Sequence, residues 1–277
     1  MSALLELSLC GNSIDDNCAR VLVHGLSECK HILSLDLSRN RISDDGLDVL
    51  IQGLPESVDT LYLTKNEVTL ARHLPLLRFK SLVLLGNTLC LGGPRVIAAS
   101  LANPECRLES LNLFRCNIGD DEAATLAEGL RNNQRLTCMK LANNDIREEG
   151  WNAFSTIMCD ASSINATHGS NHTLQSLGFP RTMSQDVEML LQFNSEQDKS
   201  RVAANKILQA HRHLDMSPLF GSELDLLPRV VAWLDRFAES RPDLKLSSIF
   251  EFVRAMPMKV TDRLMDAVER KKRKLSN

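Results

Sequence analysis

The sequence predicts an α/β solenoid: parallel strands form one curved sheet, helices lie along its outside, and an all-helical cap follows. Three observations predict this fold. A phrase of the form L-x-x-L-x-L-x-x-N-x-I returns about every 28 residues, apolar and polar residues alternate within the phrase, and apolar residues recur four apart after it. One such unit cannot bury its own apolar face, whereas a stack of units can.

The first half of each unit has the pattern of a half-buried strand. In Leu35-Asp36-Leu37 the leucines are expected to point into the core and the aspartate outward. Six near-complete copies of the phrase begin at Leu4, Ile32, Val58, Phe79, Leu108 and Leu136, and a degraded seventh contains Leu174, Leu177 and Phe179.

An asparagine follows the strand at the predicted turn. Its amide has two donors and an acceptor, so it can satisfy the backbone groups that stacked turns leave open. The repetition predicts one column of Asn12, Asn40, Asn66, Asn87 and Asn144, in which Cys116 is a weaker partner.

The second half of each unit has the spacing of one helix face. The predicted stripes are Cys18, Leu22 and Leu26; Gly46, Leu50 and Leu54; Gly93, Ile97 and Leu101; and Gly150, Phe154 and Met158. Asp44-Asp45 and Asp120-Asp121 fall near helix starts, where carboxylates stabilise the helix dipole. This structural role is favoured over acid–base catalysis.

Two irregularities interrupt the repeats. The spacing between phrases shortens around the third unit, which is therefore expected to have a short turn or loop instead of a helix. Extra chain between Asp160 and His172 is rich in Ser, Asn and Thr and predicts a surface loop.

These motifs resemble the leucine-rich repeat family in its long, ribonuclease-inhibitor-like form. The resemblance covers residues 1–182 and implies a repeat domain of about six or seven units. Residues 183–277 are expected to form a helical C-terminal cap, and a separate docking module is the alternative. The predicted helices are Gln185–Phe193, Glu196–Gln209, one beginning at Pro228, Ser247–Ala255, and one from about Asp262 to Lys271. Val230–Trp233 and Phe252–Pro257 resemble a helical extension found after such repeats in some microbial eukaryotic proteins.

The first strand begins at Leu4, with no cap before it. We expect either that the native protein is longer than this sequence, or that this edge contacts another chain.

Composition and short motifs narrow the function classes. A net charge of −3 gives no electrostatic case for nucleic acid, and no apolar run approaches the length of a membrane span. The eight cysteines, Cys18 and Cys116 among them, are expected to be reduced and mostly packed in a cytoplasmic protein. Neither a phosphate-binding loop nor a nucleophile elbow occurs, so we expect no enzyme, cofactor or metal site. The basic run from Arg270 to Lys274 is either a nuclear-import address or a solvated helix end.

The concave side of the sheet is the expected binding surface. Its middle outward row is Ser8, Asp36, Tyr62, Val83, Asn112, Lys140 and Gly178, and the next row is Cys10, Ser38, Thr64, Leu85, Phe114 and Ala142. The predicted partner-binding residues are Asp36, Tyr62, Val83, Leu85, Asn112, Phe114 and Lys140, with a basic rim of Arg39, Lys65 and Arg115 that favours an acidic partner. Alternatively, the chain's own tail covers the apolar part of this surface.

The sequence therefore predicts a non-enzymatic scaffold that binds a protein partner. An alternative, from analogy with some long-repeat relatives, is a GTPase-activating regulator of a small GTPase that uses Arg39 or Arg115. A third interpretation is a fragment of a larger innate-immunity-type receptor, which requires an upstream nucleotide-binding domain outside this sequence.

Overall fold

The computed structural model describes residues 4–72, 74–180 and 182–210. The chain divides into two compact units: Met1–Asp160 with Ser170–Lys199, and Ala161–Gly169 with Ser200–Asn277. The helices predicted beyond residue 210 and the basic run from Arg270 to Lys274 lie outside the described residues. The division between 1–182 and 183–277 therefore stays a prediction.

The first unit contains a parallel sheet whose strands follow one another in chain order. Within the described residues these strands are β1 (Glu6–Ser8), β2 (Ser34–Asp36), β3 (Thr60–Tyr62), β4 (Ser81–Val83), β5 (Ser110–Asn112) and β6 (Cys138–Lys140). The middle residue of each strand pairs with that of the next, so Leu7, Leu35, Leu61, Leu82, Leu111 and Met139 are in register. The predicted α/β solenoid of leucine-rich repeats is confirmed.

A helix follows each of these strands except β3, and three further helices follow α5. The described residues contain α1 (Asp16–Leu26), α2 (Asp44–Gly53), α3 (Gly93–Ala102), α4 (Asp120–Gly129), α5 (Glu148–Met158), α6 (Ile164–His168), α7 (Gln185–Asn194) and α8 (Lys199–Ala210). Leucines of the strands and the inner helix faces form one hydrophobic core, to which Val187, Leu190 and Leu191 of α7 also belong.

The predicted asparagine column joins successive repeats. Asn40 Oδ1 accepts from the backbone N–H groups of Asn12 and Ile14 at 2.9 Å each, and its Nδ2 donates to Leu9 O and Leu37 O. Asn87 and Asn144 make the same four bonds to their own and the preceding repeat. Asn66 makes two, accepting from Ile42 N–H and donating to Leu37 O of the preceding repeat. Asn12 itself is exposed, and its amide donates to Cys10 O within its own repeat.

Cys116 makes fewer side-chain hydrogen bonds than Asn87 and Asn144 make in this column. Its thiol donates to Leu84 O at 3.2 Å, which replaces one amide bond. Burial raises the pKa of the Cys116 thiol to about 12, so the sulfur keeps its proton at neutral pH. A thiol cannot accept two N–H groups as an amide oxygen does. Leu89 N–H donates instead to Cys116 O at a stretched 3.4 Å.

A second set of bonds, made by aspartates, joins the helix starts. Asp16 Oδ1 accepts from Ser43 N–H at 2.8 Å, and Asp120 Oδ1 accepts from Arg147 N–H at 2.7 Å. These carboxylates therefore accept from backbone N–H groups at the start of the helix in the following repeat, and they also interact favourably with the dipole of their own helix. A Cβ added at Gly46 would lie 2.3 Å from Asp16 Oδ1, so glycine at this position makes room for the carboxylate.

The third repeat has no helix among its described residues, which confirms the sequence prediction. Asp44 holds the loop that replaces the helix, because its carboxylate accepts from Thr69, Leu70 and Ala71 N–H at 2.8–2.9 Å. Leu70 is buried there in a left-handed conformation with φ 53°. Arg78 closes the other end of the loop by donating to the carbonyls of Ile51, Leu54 and Pro55.

Several sequence expectations were wrong. Cys18 is exposed, and Ala19 occupies the buried helix position instead. The reason is that α1 begins at Asp16, so the helix face that contains Ala19 points toward the core. The segment from Asp160 to His172 is not all loop, since it contains α6. Phe179 is 97% exposed although its phrase position predicts burial, because the chain turns at Gly178 with φ 84° and leaves the strand direction.

We predict that Asp44→Asn lowers the free energy of unfolding by about 1–2 kcal/mol at pH 7, because an amide has one acceptor oxygen and cannot accept from every N–H donor of the loop. The loss is modest because the site is partly exposed to water. Burial alone would raise the pKa of Asp44, but bonds from Thr69, Leu70 and Ala71 outweigh it and lower that pKa below 3.8. The carboxylate's contribution is thus present above pH 3.8 and is lost as the pH falls through the lowered folded-state pKa. Urea unfolding at several pH values measures both effects.

Asp45→Asn is the matched control for this experiment. Asp45 makes an exposed ion pair with Arg72, so its loss is expected to cost well under 1 kcal/mol. Equal decreases in the free energy of unfolding of the two variants would contradict the anchoring role of Asp44. A difference in this free energy between Asp44→Asn and wild type that persists at low pH would also contradict it.

We also predict that Cys116→Asn raises the free energy of unfolding by about 1 kcal/mol, because it restores the acceptor missing from the column. Cys116→Ala, which loses the bond to Leu84 O, should lower it. Thermal and urea unfolding of both variants test the idea, which fails if the two substitutions destabilise equally.

Candidate functional site

The outward sheet face is the side of the sheet opposite the leucine core. Strand register places Ser8, Asp36, Tyr62, Val83, Asn112 and Lys140 in one row across it, as the alternation predicts. The ladder continues past the strands, since Lys65 N–H donates to Leu85 O at 2.8 Å and Gly86 N–H to Phe114 O at 2.9 Å. The second predicted row, from Cys10 to Ala142, therefore lies beside the first.

Four apolar side chains form a diagonal patch at the centre of this face. Tyr62 is 38% exposed, and Val83, Leu85 and Phe114 are half-buried. None of the four belongs to the leucine core or to the side chains packed against it. Strands lie about 4.8 Å apart, so Tyr62 on β3 and the Phe114 position after β5 are about 10 Å apart across the sheet. The patch is thus wide enough for two separate aromatic contacts.

A basic rim, composed of Arg39, Lys65 and Arg115, follows the second row. All three residues are exposed and have left-handed backbones, with φ of 55°, 52° and 55°. Gly11, Gly86 and Asn143 occupy the same turn position in other repeats, with φ of 73°, 71° and 58°. A non-glycine residue in this conformation costs roughly 1–2 kcal/mol. The chain therefore carries three cations at positions where glycine would be the less strained residue.

The rim cations are free of ion pairs within the described part of the chain. Elsewhere Arg41, Lys80 and Arg131 each lie within 4.0 Å of a carboxylate. The Arg115 guanidinium instead lies over the Phe114 ring, 5.5 Å from its centroid. The nearest acidic residue of the middle row, Asp36, accepts from Ser38 N–H and from the Ser8 hydroxyl. The rim is thus a local positive band on a chain whose net charge is −3.

Catalytic and metal-binding arrangements are not apparent among the residues that the structure describes. Across these residues, no three His, Cys, Asp or Glu side chains converge closely enough to hold a metal ion. Two groups with shifted pKa values have structural roles, since Cys116, whose pKa is raised, belongs to the asparagine column, and Asp44, whose pKa is lowered, holds a loop. No helix within the described ranges has the length and apolar content needed to cross a bilayer.

Sequence reasoning missed two features that shape this face. A second set of buried asparagines joins the repeats on the helix side: Asn171 Nδ2 donates to Leu130 O and Asn133 O, and Asn194 Nδ2, at the end of α7, donates to Leu174 O. Asn171 is therefore a buried structural residue. The left-handed rim was also missed, although Gly11 and Gly86 at the same phrase position carried the signal.

Comparison with known proteins supports the repeat assignment. The family described as "Leucine Rich repeat" matches residues 28–50 and 106–127. NACHT, LRR and PYD domains-containing protein 14 of Mus musculus is 30% identical over 141 residues, which is 50% of this chain and 13% of that protein. NACHT, LRR and PYD domains-containing protein 13 of Homo sapiens is 35% identical over 69 residues, or 22% of this chain and 7% of that protein. The chain thus matches a small part of these longer relatives.

Among solved structures, the tropomodulin C-terminal domain of Caenorhabditis elegans is 16% identical and aligns over 74% of this chain and 89% of that one, with a TM-score of 0.28. A TM-score this low supports no conclusion about shared function.

We predict that Arg39→Gly leaves the free energy of unfolding unchanged or raises it by up to about 1 kcal/mol, because glycine adopts positive φ without steric cost. Arg20→Gly is the control, since Arg20 is also exposed but lies inside α1, where glycine costs about 1 kcal/mol. Equal destabilisation of the two variants in urea would contradict the strained-rim interpretation.

Proposed function

We propose that this chain, a leucine-rich repeat protein, is a non-enzymatic scaffold that binds a protein partner on its outward sheet face. The observation that carries the proposal is the juxtaposition, on one sheet, of an apolar patch outside the leucine core and a basic rim without ion pairs to any described residue. Proteins with leucine-rich repeats commonly mediate protein–protein interactions. The long, ribonuclease-inhibitor-like subtype stays a prediction.

The apolar patch supplies the binding energy in this proposal. Tyr62 and Phe114 are aromatic side chains, which dominate the energetics of many interfaces when a partner covers them. Val83 and Leu85 lie between them and exclude water from the contact. An outward-facing group of this kind on a sheet is an interaction site more often than an accident of sequence.

Rigidity of the face favours binding. The asparagine column fixes the turns directly after the strands, and the ladder hydrogen bonds fix the spacing between neighbouring side chains. A preorganised surface loses little conformational entropy when a partner docks, so more of the contact energy appears as affinity. The outward row can therefore act as a fixed template.

The basic rim supplies selectivity. Arg39, Lys65 and Arg115, with Lys140 in the middle row, place positive charge around the patch. Charges of this kind steer an oppositely charged partner and reject a similarly charged one, with a strong dependence on salt. An acidic protein segment with apolar side chains is the partner class that fits.

The proposed partner is a protein; binding to nucleic acid or membrane is not part of the proposal, and cytoplasmic location stays a prediction. Regulation of a small GTPase also stays a prediction from fold analogy, because no contact of Arg39 or Arg115 specifically favours it. Stimulation of GTP hydrolysis in a panel of small GTPases would support that alternative.

We predict that the double variant Tyr62→Ala/Phe114→Ala binds the partner at least tenfold more weakly, since each aromatic anchor contributes about 1–2 kcal/mol or more. The melting temperature should stay close to wild type, because both side chains lie outside the core. Proximity labelling with mass spectrometry identifies the partner, which is then purified and titrated by calorimetry.

Val21→Ala and Leu91→Ala are matched controls, because these residues are 73% and 85% exposed but lie outside the outward sheet face. They should leave the affinity unchanged. Tyr62 is the only tyrosine of the chain, so a tyrosine-labelled sample gives one ring environment to follow during the titration. Equal affinities of wild type and double variant, with an unshifted tyrosine signal, would rule out this face.

A further inference from the structure

The basic rim has a gap at Gly86. Gly86 occupies the rim position of the fourth repeat, between Lys65 of the third and Arg115 of the fifth. Two hydrogen bonds fix this order: Lys65 N–H donates to Leu85 O at 2.8 Å, and Gly86 N–H donates to Phe114 O at 2.9 Å. With strands about 4.8 Å apart, the backbones that carry the two cations are about 10 Å apart, and the residue between them, Gly86, has no side chain of its own.

We propose that this gap is a notch that receives a carboxylate of the bound partner, held between the Lys65 ammonium and the Arg115 guanidinium. The inference rests on the proposed function, because it names the chemical group that this same face recognises. The Lys65 side chain leans over Gly86 from one side, since a Cβ added at Gly86 would lie 3.2 Å from Lys65 Cγ. No other heavy atom beyond the adjacent residues lies within 4 Å of that position, so the side of the gap toward Arg115 is open.

The two cations are available to such a group. Neither makes an ion pair with a described residue, whereas a paired cation such as Lys80 lies 2.7 Å from a carboxylate oxygen. Arg115 is also preoriented, because its guanidinium lies over the Phe114 ring and retains in-plane N–H donors. Each side chain is long enough to reach the middle of a gap of about 10 Å, so both charged groups can donate charge-assisted hydrogen bonds to one carboxylate.

The apolar patch next to the notch determines which partner side chain must lie beside the bound carboxylate. Leu85 directly precedes Gly86, and Val83 lies three residues before it, about 10 Å along the chain direction. A partner segment that places a carboxylate in the notch therefore covers these residues with the side chain next to it. The recognised feature is an Asp or Glu adjacent to a large apolar residue.

Substitutions at Gly86 test the notch without a partner. The equivalent turn residue Asn143 has φ 58°, so the left-handed conformation accepts an Asn or Asp side chain. Gly86→Asp places a carboxylate between the two cations, and Gly86→Asn is its uncharged control of equal size. We expect the introduced carboxyl to titrate about one pH unit or more below its ordinary value of about 3.9, and the shift to shrink in 1 M salt.

Carbon-detected NMR of the folded full chain measures this titration. Gly86→Asp should also melt at a higher temperature than Gly86→Asn in low salt, and the two should converge in high salt. A carboxyl that titrates at its ordinary pH, with equal melting of the two variants, would overturn the proposal.

A small probe tests the notch directly. N-acetyl-glutamyl-leucine amide should shift the backbone signals of Lys65, Gly86 and Arg115 in the wild-type chain, and its glutaminyl counterpart should not. The probe should bind Gly86→Asp several-fold more weakly than Gly86→Asn. Equal responses to the two peptides, or shifts confined to other surfaces, would overturn the notch.

These outcomes are distinguishable from failure of the proposed function. If Tyr62→Ala/Phe114→Ala abolishes partner binding while the position-86 and peptide tests are negative, the scaffold proposal stands and the notch is wrong. If the notch tests are positive and the aromatic variant binds its partner normally, the site binds carboxylates but does not carry the protein interaction proposed above.

Discussion

Satisfaction of buried backbone groups at the turns is the constraint on which the rest of the structure depends. Stacked repeats bury the N–H and C=O groups of every turn, and each unsatisfied group would cost about 1–3 kcal/mol. Asn40, Asn87 and Asn144 meet this requirement by bonding to two repeats at once. The turns are thereby fixed, and the side chains that precede and follow each asparagine are fixed with them.

The outward sheet face follows from this constraint more than from the helices. The third repeat has no helix among its described residues, yet its strand stays in register with both neighbours and carries Tyr62. Asp44 and Arg78 replace the missing helix by binding the loop and the end of α2. An irregular outer layer is therefore compatible with a regular row of side chains on the face.

The repeat fold could be predicted from the sequence more completely than the candidate binding face. The leucine and asparagine periods predicted the strands, the column and the outward row, because those features depend only on position within a repeat. Cys18 and Phe179 were misplaced, because their exposure depends on where α1 begins and where the chain turns at Gly178. The aspartate bonds between helix starts were missed, because Asp16 and Ser43 are brought together only by stacking.

The sequence by itself determined that the chain contains stacked leucine-rich repeats. It also determined which side chains of each strand point outward, because successive side chains along a strand point to opposite faces of the sheet. Only the tertiary structure decided which charges pair with one another among the described residues, because ion pairs such as Asp59 with Lys80 join residues from different repeats. It also decided that Gly86 leaves a gap between Lys65 and Arg115. Neighbours across a sheet are distant in sequence, so their spacing and the space between them exist only when the repeats are stacked.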